Sequence, residues 1–354
     1  MTTLKHKLIT RILHEGPLSV ADYMATCLLH PTLGFYTTRD PLGRGGDFTT
    51  SPEISQMFGE LIGLWVAQIW MDQGAPNPFV LAELGPGRGS LMADALRATR
   101  TIAGFHDALR LHLVETSPVL RDMQHTAMSA FAPRFHDHIG DLPHGPLYLI
   151  ANEFFDTLPI RQFQRTVGGW RERHIGARND ALIWGLGPDG PVPALTPRLH
   201  DTKPDQIVEI GTVAGGMVGE IGARVASFGG AAIIIDYGDW NSLGDTFQAV
   251  KNHEYVDPLA TPGQADLSAH VAFGPLARAA APAVATPLTP QGMFLERLGI
   301  TARAQTLAQG LRGQALENHI AAHRRLTHPD AMGHLFKVLA LTPPQVTPPP
   351  GFQD

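Results

Sequence analysis

Apolar residues along this chain first recur at helical spacing, then condense into short unbroken runs, then return to helical spacing near the C-terminus. Leu4, Leu8, Ile12 and Leu13 predict a first helix from Leu4 to about His14, stopped by Gly16-Pro17. Ser19 reads as the N-cap of a second helix reaching about Leu29, with Asp22 favouring its first turn. Ile54, Phe58, Leu61, Ile62, Trp65 and Ile69 share one side of a third, from Glu53 to Met71. From Asn77 the pattern changes: Phe79–Leu84, Leu109–Glu115, Pro146–Ala151 and Ala231–Asp236 are short apolar runs, and Phe135–Ile139 is a weaker one. Runs this apolar, alternating with helical segments, predict an α/β fold with a mostly parallel sheet covered on both faces.

An insertion at about 160–230 separates the fourth and fifth runs. It carries a predicted hairpin divided at Gly168-Gly169 and a helix with Val213, Met217, Ile221, Val225 and Phe228. After Asp236 the chain reads as loop, with Ala279–Pro290 as a connector, and then as helix from Pro290 to about Ala340. The proline-rich tail, 343–354, reads as an extended, solvated end. The expected division is therefore a helical segment over 1–75, an α/β core over 76–240 with its insertion, loops and C-terminal helices over 241–342, and the tail.

Composition narrows the function classes. With 44% hydrophobic and 17% charged residues in 354, the chain reads as globular rather than disordered. A net charge of −6 and the lack of any Lys/Arg run argue against nucleic acid or an anionic membrane as partner. The longest aliphatic block, Ala231 to Ile235, is too short for membrane insertion. Cys27 stands alone, so no internal disulfide can form and a reducing compartment is expected. The basic, amphipathic N-terminus lacks a secretory h-region, and a structural first helix is preferred over a mitochondrial presequence. His319 and His323 lie four apart and His136-Asp137-His138 is compact, but neither has a third ligand at metal-binding spacing, so no metal is expected.

The chemistry concentrates at two turns. In Glu83-Leu84-Gly85-Pro86-Gly87-Arg88-Gly89-Ser90, an apolar run ends in an acid and three alternating glycines before a helix. A dinucleotide fingerprint would need glycine where Ser90 stands; the pattern instead matches the cofactor loop of S-adenosylmethionine-dependent methyltransferases. Glu83 suits the cofactor's amino group through ordered water, and backbone N–H groups suit its carboxylate. Glu115, closing the second run, is placed to accept the ribose hydroxyls, and Asp141 to accept from the adenine amino group. The second turn is Asn152-Glu153-Phe154-Phe155-Asp156, directly after the fourth run. Two acids among aromatic rings suit a guanidinium, the acids pairing with its planar fork and the rings covering its faces. Ser51 and Glu53, after the loop beginning Gly45-Gly46-Asp47-Phe48, are explained by helix capping alone unless a relative assigns them more.

The chain resembles the MidA-like family, bacterial and mitochondrial methyltransferases that include the protein arginine methyltransferase acting in assembly of respiratory complex I. The resemblance runs from about residue 15 to 342. It rests on Arg39-Asp40-Pro41-Leu42-Gly43, Gly46 to Gln56, Glu83 to Gly89, Leu113 to Pro118, Asn152 to Ile160 and Asp236-Tyr237-Gly238. It implies a Rossmann-like class I methyltransferase fold with an inserted and C-terminal substrate-side subdomain. S-adenosyl-L-methionine is the implied cofactor, held by Glu83, Gly85, Pro86, Gly87, Gly89, Glu115 and Asp141. The segment over 1–75 would contribute a covering loop, with Ser51 and Glu53 closing over the cofactor. Asn152, Glu153 and Asp156 are the implied catalytic residues, with Phe154, Phe155, Asp236, Tyr237 and His270 on the substrate side. The implied activity is symmetric dimethylation of an arginine in the complex I subunit beside the quinone site, in the bacterial cytoplasm or, for a eukaryotic source, the mitochondrial matrix. One departure stands out: Ala272 occupies a position where the family usually has Asp, which bears on peptide specificity. A small-molecule acceptor, a non-catalytic assembly role and a homodimeric state stay open as alternatives.

Overall fold

The computed structural model describes residues 3–38 and 49–353. The chain packs as two compact units, each assembled from separated segments: 1–48, 156–214 and 239–272 form one, and 49–155, 215–238 and 273–354 the other. The expected division at 75 and 240 is thus replaced by crossings at 48, 155, 214, 238 and 272.

The second unit is the α/β one. Its main strands are β1 (Phe79–Leu84), β2 (Leu109–Val114), β3 (Arg134–His136), β4 (Leu147–Asn152), β5 (Gly230–Asp239) and β6 (Phe336–Thr342). They lie in the order β3-β2-β1-β4-β5-β6, parallel except for β6. All six residues of β1 and all six of β4 are buried, as expected for central strands covered on both faces. Strand order reverses between β1 and β4. In open α/β sheets that switch point, at the carboxyl ends of the strands, is where a crevice opens.

Helix packing explains why Gln56–Asp72 belongs with this sheet rather than with the N-terminal helices. Gly59 and Gly63 face the helix Ser90–Ala98, and a Cβ on Gly63 would come within 2.5 Å of Ala95 Cα. Two glycines one turn apart let the backbones approach closely, and Phe58, Ile62, Trp65 and Trp70 fill the core around them. The expected single helix over 53–71 is two helices, Ser51–Ile54 and Gln56–Asp72. Ser55 adopts extended backbone at φ −160° and its Oγ accepts from the Met57 N–H, capping the longer one. Ser51, expected as a cap, is instead the first residue of the short helix.

Two further expectations fail at the C-terminal end. Residues to Thr327 are helical, but Phe336–Thr342, read as helix to Ala340, is β6, with all seven residues buried. The run Phe-Lys-Val-Leu-Ala-Leu carries no period, and here it supplies the antiparallel partner along β5. The tail is anchored rather than solvated: Trp65 Nε1 donates to the Pro350 carbonyl at 3.0 Å, and the buried Phe352 ring lies 5.1 Å from that of Phe294.

The first unit packs the helices Leu4–Glu15 and Val20–Leu29 with an antiparallel sheet that includes Arg161–Arg165, Trp170–Arg178, Ala181–Gly190 and Ile207–Ile210. The hairpin across Gly168-Gly169 forms as expected. The region after Asp236, read as loop, contains a three-stranded sheet of Gln248–Lys251, Glu254–Val256 and Asp266–Ser268. Its strands are too short to show a period. Among the described residues no helix is long and apolar enough to cross a membrane.

Candidate active site

At the carboxyl end of β1 the chain turns at Gly85, whose φ of +57° lies in the left-handed region. A Cβ there would lie 2.7 Å from Cδ2 of Phe154. The glycine loop and the turn after β4 are therefore adjacent, and the missing side chain is what lets the Phe154 ring lie against the loop. Gly89 ends the loop as N-cap of the helix Ser90–Ala98 with no side-chain cap of its own. Glu53 approaches that end: its Oε1 accepts from the Ser90 hydroxyl, and Arg88 stands 4.0 Å from its Oε2.

Two acids line the corner. Glu83 is 3% exposed and its Oε2 has no hydrogen-bond partner among the described residues. Burial pushes its carboxyl up to about 8, and the nearby Glu115 charge adds to the rise. Glu115 is also buried and held above the usual carboxylate range by that burial. The Ser117 N–H, donating to Oε1 at 2.8 Å, and the Gln124 amide, 3.3 Å from Oε2, pull it back.

Beyond β4, Glu153 takes φ +50°, an unusual conformation for a residue with a side chain. Its N–H donates to the Ile235 carbonyl at 2.9 Å. Its Oε1 accepts from the Ser51 N–H at 2.7 Å and from Asn152 Nδ2 at 3.0 Å. Burial raises the Glu153 carboxyl, and the Ser51 and Asn152 donors oppose that rise. Asn152 is buried, and its Oδ1 has no hydrogen-bond partner among the described residues. Phe154 and Phe155 meet edge to face at 5.5 Å. Asp236, at the end of β5, fixes this turn: its Oδ2 accepts from the Phe155 N–H at 3.0 Å and its Oδ1 from the Tyr237 N–H at 2.9 Å. The Tyr237 ring packs against Phe336.

The structure thus brings Ser51, Glu53, Glu83, Gly85, Pro86, Gly87, Gly89, Glu115 and Asn152–Phe155 into one unit. Asp141 is different. It is exposed, and its Oδ2 accepts from the His138 N–H of its own turn, at 3.3 Å. Asp156 and His270 belong to the other unit, where the Asp156 carbonyl accepts from the Ala269 N–H and the His270 N–H donates to Thr246. Ala272 ends the strand Val271–Ala272 of that unit. The family strings at Arg39–Gly43 and Gly45–Phe48 lie outside the described residues. His319 and His323 are engaged within the fold, by the Ala304 carbonyl and the Thr301 hydroxyl. The expectations missed Gln124, Ser90 and Arg88, since nothing in their spacing marks them as neighbours of the acids.

Residues 61–291 match the family model described as putative S-adenosyl-L-methionine-dependent methyltransferase. The mitochondrial protein arginine methyltransferase NDUFAF7 of Danio rerio is 37% identical over 365 residues, covering 96% of this chain and 86% of that protein. The Homo sapiens protein of the same name is 36% identical over 375 residues, covering 98% and 84%. The chain belongs to this methyltransferase family. A crystal structure from Burkholderia thailandensis, of a candidate methyl transferase bound to S-adenosyl-homocysteine, superposes with a TM-score of 0.83 at 28% identity, covering 99% of this chain and 92% of that one.

As a member of the family the protein is a methyltransferase with S-adenosyl-L-methionine as its cofactor. Its residues fit that molecule. Buried acceptors on Glu83 and Asn152 have no hydrogen-bond partner among the described residues. A ligand carrying an ammonium group and ribose hydroxyls supplies donors for acceptors of this kind.

Proposed function

We propose that this methyltransferase symmetrically dimethylates an arginine side chain in a respiratory complex I subunit, supporting assembly of the complex. Relatives named as protein arginine methyltransferases support the acceptor class, and the family resemblance supports the complex I target. One observation carries the reading. Glu153 takes a left-handed backbone and its Oε1 is held by the Ser51 N–H and the Asn152 amide, beside an aromatic ring that touches the glycine loop.

In this account Glu83 receives the cofactor's ammonium through water, Glu115 receives the ribose hydroxyls, and the backbone over Gly85–Gly89 holds the amino-acid end. When bound, S-adenosyl-L-methionine supplies an electrophilic methyl group to a nucleophilic nitrogen. A guanidinium is a poor nucleophile because its lone pairs are delocalised and it is fully protonated. The Ser51 N–H and the Asn152 amide both donate to Oε1, and in this account Oε2 receives a guanidinium N–H. A cation arriving there draws the raised carboxyl back into its ionised form. Glu153 then orients the acceptor, stabilises its charge as it localises, and takes up the proton that the nitrogen gives up. Phe154 covers the guanidinium plane and excludes water. In a bacterium the acceptor is met in the cytoplasm, and in a eukaryote in the mitochondrial matrix.

The test is incubation of purified protein with a labelled methyl donor and candidate complex I subunits, followed by residue mapping. Label on one arginine, as the symmetric dimethyl product, is expected. Label on another residue type, or none beside a subunit that a relative modifies, overturns the acceptor assignment.

A further inference from the structure

Gln124 is a buried polar side chain of this corner. It lies on the helix Pro118–Ala127 and is 0% exposed. Its Nε2 donates to the Gly87 carbonyl at 2.6 Å and lies 3.3 Å from Glu115 Oε2. The Gly87 carbonyl can only accept, so the amide must present its NH2 there, and its orientation is settled by chemistry. The Gln124 Oε1 is left buried with no partner among the described residues. The backbone of the same helix is held close to the loop: a Cβ on Gly89 would lie 3.6 Å from Gln124 Cα and 2.9 Å from the methyl of Met128.

We propose that Gln124 is a cofactor-positioning residue: one amide group ties the glycine loop to Glu115 and aims that carboxylate at the ribose hydroxyls. The assignment rests on the reading of Glu115 as the ribose acceptor. Glu115 is fixed from three sides. The Ser117 N–H holds Oε1, Arg121 Nε donates to the Glu115 carbonyl at 2.6 Å, and Gln124 holds Oε2. Of these, Gln124 alone also holds the loop, so it sets the distance between the part of the site that receives the amino-acid end and the part that receives the ribose. A helix-surface glutamine would need neither bond. A buried amide with its NH2 shared between two such acceptors and its oxygen unspent is costly unless a ligand completes it.

The experiment is calorimetric titration of S-adenosylhomocysteine and of its 2′-deoxy and 3′-deoxy analogues into wild type, Gln124→Met and Gln124→Asn. Methionine keeps the length and removes the donors; asparagine keeps the amide but is one methylene too short for both acceptors. Wild type is expected to prefer the ribose form over both analogues. Gln124→Met should weaken the ribose form about tenfold, the size of one lost hydrogen bond to a charged group, and the deoxy forms less than about twofold. If the methionine variant does not fold, Gln124→Asn carries the same comparison. Equal weakening of all three ligands marks Gln124 as merely structural and overturns the proposal, as does unchanged binding. A wild type that binds all three equally overturns the ribose role of Glu115 first, and the proposal with it.

Discussion

Glu209 in the first unit and Glu83 in the second are both buried glutamates in the protein interior, and burial raises the carboxyls of both. They differ in company. Glu209 Oε1 accepts from Gln162 at 2.7 Å and from the Thr246 N–H at 3.0 Å, and Oε2 accepts from the Thr246 and Ser242 hydroxyls. Glu83 leaves Oε2 with no partner among the described residues. A raised carboxyl therefore does not mark a site here; what sets Glu83 apart from Glu209 is that spare acceptor. Glu209 organises its own unit as a saturated hub, whereas Glu83, Gln124 and Asn152 hold acceptors in reserve around one corner of the sheet. Glu60 repeats the first pattern within the second unit, paired with Arg97 and Arg303, so saturation follows role rather than location.

The comparison breaks most visibly at Glu153. Glu153→Ala should lower turnover on the order of 100- to 1,000-fold while S-adenosylhomocysteine affinity stays within about threefold. Equal loss of both in kinetics and calorimetry would make the residue structural. Next comes the hub. Glu209→Ala strands four donors and should cost about 2–4 kcal/mol in denaturant unfolding with cofactor affinity unchanged, whereas Glu83→Gln should not lower stability and should weaken cofactor binding. Reversed outcomes would remove the distinction between the two acids. Gly85→Ala, adding a Cβ at φ +57° against Phe154, should cost about 1–3 kcal/mol in the same unfolding measurement. An unaffected variant would mean that the ring does not rest on the loop.

A further effect is a pH dependence. Glu83 titrates near 8 in the folded chain and near 4.5 when unfolded, so the unfolded state gives up its proton first as pH rises. Ligand-free stability is then highest below the unfolded value. It falls through the window between the two, by at most about 1.4 kcal/mol per pH unit, and levels off above 8. Thermal melts of Glu83→Gln should lose that slope; a slope kept in the variant would assign it to other groups.

Much of the sheet was legible because its strands are buried on both faces, which leaves runs such as Phe79–Leu84 and Ala231–Ile235 with almost no polar interruption. Glycine spacing marked the β1 turn for a similarly local reason. What was not legible depended on distant partners. Phe336–Leu341 carries no period that separates helix from strand, and only the open edge of β5 decides it. Phe352 looks like a solvated tail residue until Trp65 and Phe294 receive the chain end. The break at Ser55 lies inside an apolar pattern that continues across it. At the site, Glu83, Glu115 and the Asn152 turn stood out by type and place. Gln124 did not, because its significance is two acceptors contributed by other segments.

The spare acceptor on Glu83 is the centre of this account, and proton release tests it directly. At pH 7 a carboxyl titrating near 8 is mostly protonated in the free protein, and an ammonium-bearing ligand should ionise it. Titrating S-adenosylhomocysteine by calorimetry in buffers of different ionisation enthalpy should show release of close to one proton in wild type and almost none in Glu83→Gln, which binds more weakly. Equal affinity and equal proton release in the two proteins would contradict the assignment of Glu83 to the cofactor.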